Sequence, residues 1–215
     1  MTVYYFFRIF AFGMYRIRRL FVWLRRSRYS RGFGVQSPFA YGFVRYVVNE
    51  HYPYYAYERL MRQMPDIGKK AHKLGRLYFR IVNWKQPEVA LSFGGEQDSF
   101  RAYATAGRRA VRVVSVDCSA SMTEVGKELL ALAGVVSFIR VVPEGGYKEF
   151  CERILAGAHE MSVLVVEQIH RNASMFRYWK ELCAHETVTV AFDLYYCGVI
   201  LFEKKHYKQY YKINF

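Results

Sequence analysis

Short apolar runs rich in β-branched residues recur through the second half of the chain, separated by segments with helical spacing. Six of these runs predict strands, at residues 88–93, 111–117, 135–142, 162–167, 187–193 and 198–204. Runs of this length that alternate with helices are typical of a largely parallel sheet covered on both faces. Only Leu194 to Cys197 separate the last two runs, which predicts a C-terminal antiparallel hairpin on an α/β sheet.

Helical spacing dominates the first part of the chain. Ser37-Pro38 predicts a helix start, because proline in a first turn costs no hydrogen bond and serine can cap the helix. A second helical run, residues 55–84, is interrupted at Pro65 and Gly68. We therefore expect two or three helices before the first strand.

The change from helical spacing to alternating strands and helices sets a soft boundary near Pro87. We predict a basic, amphipathic helical region over residues 1–86 and an α/β domain over residues 87–215. The chain has 215 residues, of which 53% are hydrophobic, enough for a sizeable packed core. No internal repeat or Ser/Gly-rich linker interrupts it.

Positive charge is concentrated near the N-terminus. The formal net charge is +14, and nine arginines precede the first acidic residue, Glu50. Met14, Ile17, Phe21 and Leu24 share one helical face, and five arginines flank it: Arg16, Arg18, Arg19, Arg25 and Arg26. Arginines also interrupt the apolar run, which disfavours both a membrane span of roughly 20 apolar residues and a secretory signal.

This amphipathic helix has two interpretations. It can lie on an anionic membrane or a phosphate backbone, with the arginines contacting phosphates. Alternatively, its apolar face packs on its own domain while the arginines stay solvated. Basic charge alone does not distinguish lipid from nucleic acid. We place peripheral contact with the inner face of the membrane, by a cytoplasmic protein, ahead of nucleic acid.

The cysteines carry no metal-binding or disulfide pattern. Cys118, Cys151, Cys183 and Cys197 are widely spaced, form no CxxC pair and have no adjacent histidine at zinc-ligand spacing. They are interpreted as reduced core residues of a cytosolic protein, and no metal site is predicted.

Candidate ligand-binding residues follow the first two predicted strands. An open parallel sheet binds its ligand at the carboxyl ends of its strands. Gly94 and Gly95 form a glycine turn after the first strand, and Asp117 directly follows the second. An acidic residue in that place commonly holds a pair of ribose hydroxyls, although Asp117 is equally suited to cap the next helix.

Three motifs resemble the class I S-adenosylmethionine-dependent methyltransferases, in particular a small group from Bacteroidetes. "VQSPF" at residues 35–39 is similar to the group's "HSPF", with Gln36 in place of histidine. "EQIHRNASMFRYW" at residues 167–179 resembles the region of its "DDIHWS" motif. "VTVAFDLYYCGVILF" at residues 188–202 is closely similar to "VTVTIDL…GIVFF". The resemblance covers most of the chain, and its C-terminal quarter is the most specific part.

The resemblance implies a Rossmann-like methyltransferase fold and methyl transfer to an acceptor that the sequence does not identify. It implies S-adenosylmethionine as cofactor, bound through Gly94, Gly95 and Asp117. Glu167 and His170 are the catalytic candidates, because either side chain is a competent base when suitably placed.

Several positions depart from the family pattern. Phe93 and Gln97 stand where the family's loop glycines belong, Leu91 replaces an acidic residue, and Gln168 replaces the second aspartate of "DDIHWS". A unit with a "DGNH"-like motif is missing, so we expect a sheet one strand-helix unit shorter than the usual seven strands, with a piece of the active-site rim absent. A weakened cofactor site and a pseudoenzyme both remain open.

A non-enzymatic binding module is the alternative function. In that case the arginine-rich helix and the tail "KKHYKQYYKINF", residues 204–215, dock on membrane or nucleic acid, since lysine, arginine and tyrosine contact phosphates and bases. The tail also fits an edge strand protected from aggregation by its lysines, which is the interpretation we favour.

Overall fold

The computed structural model describes residues 20–32, 34–118 and 136–215. Residues 20–26 are helical and are called the N-terminal helix below, and a 3-10 helix follows at Ser27–Gly32. The other helices are α1 (Pro38–Phe43), a π-helix (Val44–Val48), α2 (Tyr55–Gln63), α3 (Lys69–Lys85), α4 (Asp98–Gly107), α5 (Tyr147–Gly157) and α6 (Ala173–Ala184). The strands are β1 (Val89–Phe93), β2 (Arg112–Val116), β3 (Val136–Val141), β4 (Val163–Glu167), β5 (Val190–Asp193), β6 (Cys197–Leu201) and β7 (Gln209–Lys212).

The helix boundaries follow the predicted signals. Ser37 caps α1, and its side chain accepts a hydrogen bond from the amide of Ala40. Helices α2 and α3 are separated by the turn that contains Pro65, and Gly68 is the N-cap of α3. Local sequence chemistry is therefore sufficient to define these boundaries.

The sheet has the order β2-β1-β3-β4-β6-β5-β7. Strands β2, β1, β3 and β4 are mutually parallel, and β6 is antiparallel to both β4 and β5. The expected Rossmann-like architecture is confirmed, with a mostly parallel sheet, a C-terminal antiparallel hairpin and preceding helices.

The strand count differs from the prediction of fewer than seven. The seventh strand comes from the tail, where β7 pairs with β5 in parallel as an edge strand. Along the described residues, β3 is the one strand between β2 and β4. In the sheet, β3 pairs directly with β1.

Helices cover both faces of the sheet. On one face, Phe43, Leu77 and Ile81 from the helices preceding β1 pack with sheet residues such as Phe138 and Val165. On the other face, the core consists of α5, α6 and the alternate sheet residues. Trp179 of α6 lies so close to Gly198 that a Cβ there would be 2.3 Å from the indole ring, which explains the glycine in β6. The helical region and the sheet thus share one core.

The cysteines form no disulfide bond. Cys151 and Cys197 are buried and Cys183 is partly buried, as expected, but Cys118 is exposed because it follows the edge strand β2. Among the described residues, no helix is long and apolar enough to cross a membrane.

Candidate functional site

The glycine turn after β1 is tight. Gly94 and Gly95 have φ values of +67° and +66°, which glycine adopts without steric cost. A Cβ on Gly95 would lie 2.7 Å from Cγ2 of Val142, so the close approach of β3 also requires glycine. Gln97, at a position where the family has glycine, donates a 2.8 Å hydrogen bond to the carbonyl of Gly94 and closes the turn from its side chain.

A cavity of about 270 Å³ lies at this edge of the sheet. It is lined by Gly94, Gly95, Gln97, Ser115, Val116, Asp117, Cys118 and Glu144. The structure therefore brings together all three predicted cofactor-binding residues at the carboxyl ends of β1 and β2. Among the described residues, no cluster of three or more His, Cys, Asp or Glu could hold a metal ion.

Glu144 is a residue of this site that the sequence analysis did not identify. It lies in the loop after β3, and its Oε2 accepts a 2.8 Å hydrogen bond from the amide of Gly95. The glycine turn thus already binds a carboxylate, which is supplied by the protein itself. An acidic residue just beyond a predicted central strand was the signal that could have revealed it.

Glu167 is held in a buried ion pair with Arg140. Arg140 Nε donates to Glu167 Oε1 at 2.7 Å, and the Tyr78 hydroxyl donates to the same oxygen at 2.6 Å. Burial, followed by the negative charge of Glu167, raises the pKa of Tyr78 well above its ordinary value. The second end of the Arg140 guanidinium donates to Ser92 Oγ and to the carbonyl of Glu96. Glu167 therefore anchors the arginine that supports the glycine turn.

His170 lies farther along the same edge and pairs with Asp193. Its Nε2 is 2.9 Å from Asp193 Oδ2 and 3.0 Å from Oδ1. The imidazole is stacked between Phe176 and Tyr195, with ring centroids 4.4 and 4.9 Å away. Nε2 donates to the carboxylate, so Nδ1 is the ring nitrogen that faces away from Asp193, and no described residue hydrogen-bonds it. The His170 side chain is 22% exposed, so a ligand can reach it from solvent.

Asp193 is completely buried and saturated with donors. It accepts hydrogen bonds from Arg26 at 2.7 Å, from the amide of Tyr195 at 2.9 Å and from the Tyr210 hydroxyl at 3.1 Å, in addition to His170. Burial alone would raise its pKa, but the hydrogen bond from His170 and the charge of Arg26 outweigh burial and lower the pKa to about 2. Asp193 thus stays ionised and fixes the orientation of His170.

The flanking arginines of the N-terminal helix do not share one environment. Arg16, Arg18 and Arg19 lie outside the described residues. Arg25 is exposed, whereas Arg26 is 8% exposed and bonded to Asp193. The apolar residues of this helix are exposed instead: Leu20, Phe21, Trp23 and Leu24. In the described part of this helix the apolar side chains are therefore not packed inward, and of the two flanking arginines described there, Arg26 is buried and Arg25 is exposed.

The predicted site residues therefore form two groups on one sheet edge. Gly94, Gly95 and Asp117 surround the cavity at β1 and β2, and His170 lies in the Asp193 cluster beyond β4. Asp193 ends β5, four strand positions from β1 and five from β2. Neighbouring strands are about 4.8 Å apart, so the end of β5 lies roughly 19–24 Å along the edge from the two strands that hold the cavity. Glu167 lies between them, bound to Arg140.

Comparison with known proteins gives distant structural likenesses. No family model and no curated protein matches the chain. A methyltransferase from Geobacter sulfurreducens superposes with a TM-score of 0.46 and 15% identity over 69% of this chain and 88% of its own. An SAH-bound methyltransferase from Podospora anserina gives 0.45 and 12%, over 72% and 91%. An O-methyltransferase from Bacillus cereus in complex with SAH gives 0.41 and 10%, over 74% and 96%. At this distance, the activity has to be derived from the chain's own residues.

The Asp193 cluster predicts a pH-dependent contribution to stability. Because the folded pKa is lowered from 3.8 to about 2, ionised Asp193 stabilises the fold above about pH 4 and loses that contribution as the pH falls toward 2. We expect Asp193→Asn to have a lower free energy of unfolding than the wild type at about pH 4. This difference should shrink by about 2 kcal/mol as the pH falls toward 2. Urea unfolding at a series of pH values measures it.

Glu58→Gln is the matched control, since Glu58 is an exposed acid that pairs with Arg62 on the same helix. Its difference from the wild type should stay near zero throughout. A deficit for Asp193→Asn that is independent of pH between about 4 and 2 would contradict the assignment.

Proposed function

We propose that this chain binds S-adenosylmethionine in the glycine-turn cavity and transfers its methyl group to an acceptor. The observation that carries the proposal is the convergence of two positive-φ glycines and Asp117 on one cavity at the carboxyl edge of a parallel sheet. This is the place where the fold presents backbone amides and an acidic side chain to the same ligand.

The residues present fit such a cofactor. Asp117 offers carboxylate oxygens to a pair of ribose hydroxyls, and the glycine turn leaves room where a Cβ would clash. The amide of Gly95 is already a carboxylate-binding donor, as its bond to Glu144 demonstrates. The cavity of about 270 Å³ falls just below the range of about 300–1,000 Å³ usual for ligand sites. Partial filling by Glu144 is consistent with weakened binding.

His170 is the better supported of the two catalytic candidates. The cofactor, when bound, supplies an electrophilic methyl group on a sulfonium. His170 is oriented by Asp193, and its Nδ1 can accept the proton of an acceptor hydroxyl or amine. The acceptor oxygen or nitrogen gains the methyl group as it loses that proton. Glu167 is less suited because two donors already occupy its Oε1 in a buried ion pair. Positioning of the acceptor along the edge supplies the remaining catalysis.

Calorimetric titration with S-adenosylhomocysteine tests the cofactor site without requiring the acceptor. We expect saturable binding that Asp117→Ala weakens at least about tenfold, because the ribose loses its charged acceptor. Asp66→Ala, which removes an exposed acid from the turn before α3, is the matched control and should bind normally. No heat at millimolar ligand, with folded protein, would reject the proposal.

Glu144 should limit affinity for ligands that carry a carboxylate. A ligand carboxylate at the Gly95 amide has to displace the side chain that now accepts this hydrogen bond. Glu144→Ala should therefore raise the affinity for S-adenosylhomocysteine by about five- to tenfold and change that for adenosine by less than about twofold. Weaker binding of S-adenosylhomocysteine to the variant in the same titration would mean that Glu144 contacts the ligand instead.

We also propose peripheral binding to an anionic membrane through the N-terminal helix. The supporting observation is the exposure of its apolar residues, with Leu20, Phe21, Trp23 and Leu24 each more than half exposed. Exposed apolar side chains on a strongly basic segment favour a surface that offers both negative charge and an apolar interior. A nucleic acid supplies the charge without the apolar interior.

Sedimentation with phosphatidylglycerol vesicles tests the membrane proposal. Phe21→Asp should lower the partition coefficient about tenfold or more, because one large apolar side chain that would enter the lipid is lost and a negative charge is added. Tyr55→Asp is the control, since Tyr55 is 96% exposed and belongs to α2 and not to the N-terminal helix. Binding should also weaken as salt rises. Salt-sensitive binding to duplex DNA without vesicle binding would identify nucleic acid as the partner.

A further inference from the structure

Strand β2 lies at one end of the sheet, and in the described part of the chain it pairs with β1 alone. The amide of Arg112 bonds to the segment leading into β1, and the carbonyl of Val116 accepts a hydrogen bond from the turn that leaves β1. Backbone amides and carbonyls alternate in direction along a strand. Those of Val113 and Ser115 therefore point away from the sheet.

This outer side of β2 is accessible. Arg112 and Ser115 are exposed and Val113 and Val114 are partly buried, whereas every residue of β1, β4 and β6 is buried. Polar backbone groups at the open edge of a sheet form a template for another strand. A strand added to β2 would pair with the amides and carbonyls of Val113 and Ser115 and would cover the partly exposed valines.

Positive charge surrounds this edge. Three exposed arginines belong to α4, the α4–β2 turn and β2: Arg101, Arg109 and Arg112. Arg101 Nη2 lies 3.4 Å from Ser115 Oγ, so its charge is beside the outward backbone. None of the three arginines forms an ion pair with a described acidic residue. Asp117, the acid that follows β2, lines the glycine-turn cavity.

We infer that β2 binds an acidic, extended peptide segment of a partner protein, which joins the sheet beside it. The peptide backbone pairs with Val113 and Ser115, and carboxylates of the peptide neutralise the arginines. Basic residues at an edge also oppose indiscriminate strand pairing, so they select a partner of opposite charge. A second copy of this chain would instead bring a net charge of +14 to the same edge, where like charges repel.

Amide hydrogen exchange tests the inference with a blocked peptide of about nine residues in which glutamate alternates with valine and threonine. In the protein alone, the amides of Val113 and Ser115 should exchange quickly, while that of Val114, which faces β1, is protected. Saturating peptide should slow exchange at Val113 and Ser115 at least about tenfold and change it far less at Val114. Unchanged exchange at both outward amides would overturn the inference.

The protein alone also distinguishes the other occupants of this edge. Protection of Val113 and Ser115 that rises with protein concentration would assign the edge to a second copy of the chain. Protection that is independent of concentration would assign it to the chain's own residues. Either result would overturn the assignment to a partner peptide.

The backbone requirement is tested by fluorescence anisotropy with the same peptide carrying a label. Val113→Pro removes one outward amide and should weaken binding at least about tenfold. Proline is tolerated on an edge strand where the lost amide faces outward. Val113→Ala is the matched control, because it shortens the same side chain, keeps the amide and should bind normally. Urea unfolding verifies that both variants are folded, and equal binding by the two would contradict strand addition.

The charge requirement is tested in the same assay. Arg112→Glu should weaken binding about tenfold, whereas Arg177→Glu, which makes the same change in net charge at an exposed position of α6, should change it less than about twofold. A peptide with lysine in place of glutamate should bind at least about tenfold less well. Equal binding of an acidic peptide whose valines are replaced by proline would show attraction by charge without strand pairing, and would overturn the inference.

Discussion

A single buried carboxylate, that of Asp193, joins three distant parts of the chain to the adjacent β5–β6 turn. Its donors come from the N-terminal helix, the β4–α6 segment, the β5–β6 turn and the tail: Arg26, His170, Tyr195 and Tyr210. Transfer of a charge from water into a protein interior costs several kcal/mol, and that cost is offset only when the charge is well paired and hydrogen-bonded. Four donors meet this condition, so Arg26 of the N-terminal helix and Tyr210 of the tail are fixed relative to the sheet by one ionised group.

A second buried ion pair organises the middle of the same edge. Arg140 spans from Glu167 on β4 to the carbonyl of Glu96 and the hydroxyl of Ser92 on β1. Arg140 thus holds the backbone of the glycine turn through the carbonyl of Glu96. The side-chain amide of Gln97 also donates a hydrogen bond to the carbonyl of Gly94 within the turn. The turn thus keeps a ligand-compatible shape although its residues differ from the family pattern. Gly94 and Gly95 provide the left-handed backbone conformation of the turn.

The sequence predicted the elements of this fold because their causes are local. Apolar runs define the strands, and Ser37, Pro65 and Gly68 define helix boundaries through capping and through the geometry of proline and glycine. It also predicted that Gly94, Gly95 and Asp117 would meet, since parallel strands place their carboxyl ends on one edge. The partners of buried charges depend instead on pairing across the sheet. Nothing local to Glu167 reveals that Arg140, 27 residues earlier, occupies it.

The partner of Arg26 could not be predicted from local sequence either, and this partner bears on function. Helical spacing groups it with arginines that flank an apolar face, yet its partner Asp193 is 167 residues away. Its guanidinium also contacts His170 Nε2 at 3.3 Å, so one side chain belongs both to the N-terminal helix and to the oriented histidine. Displacement of that helix would leave Asp193 with one charged donor fewer and His170 with a carboxylate less fully neutralised. The basic N-terminal segment is therefore part of the electrostatic environment of the edge, and the membrane-facing and catalytic hypotheses concern one connected structure.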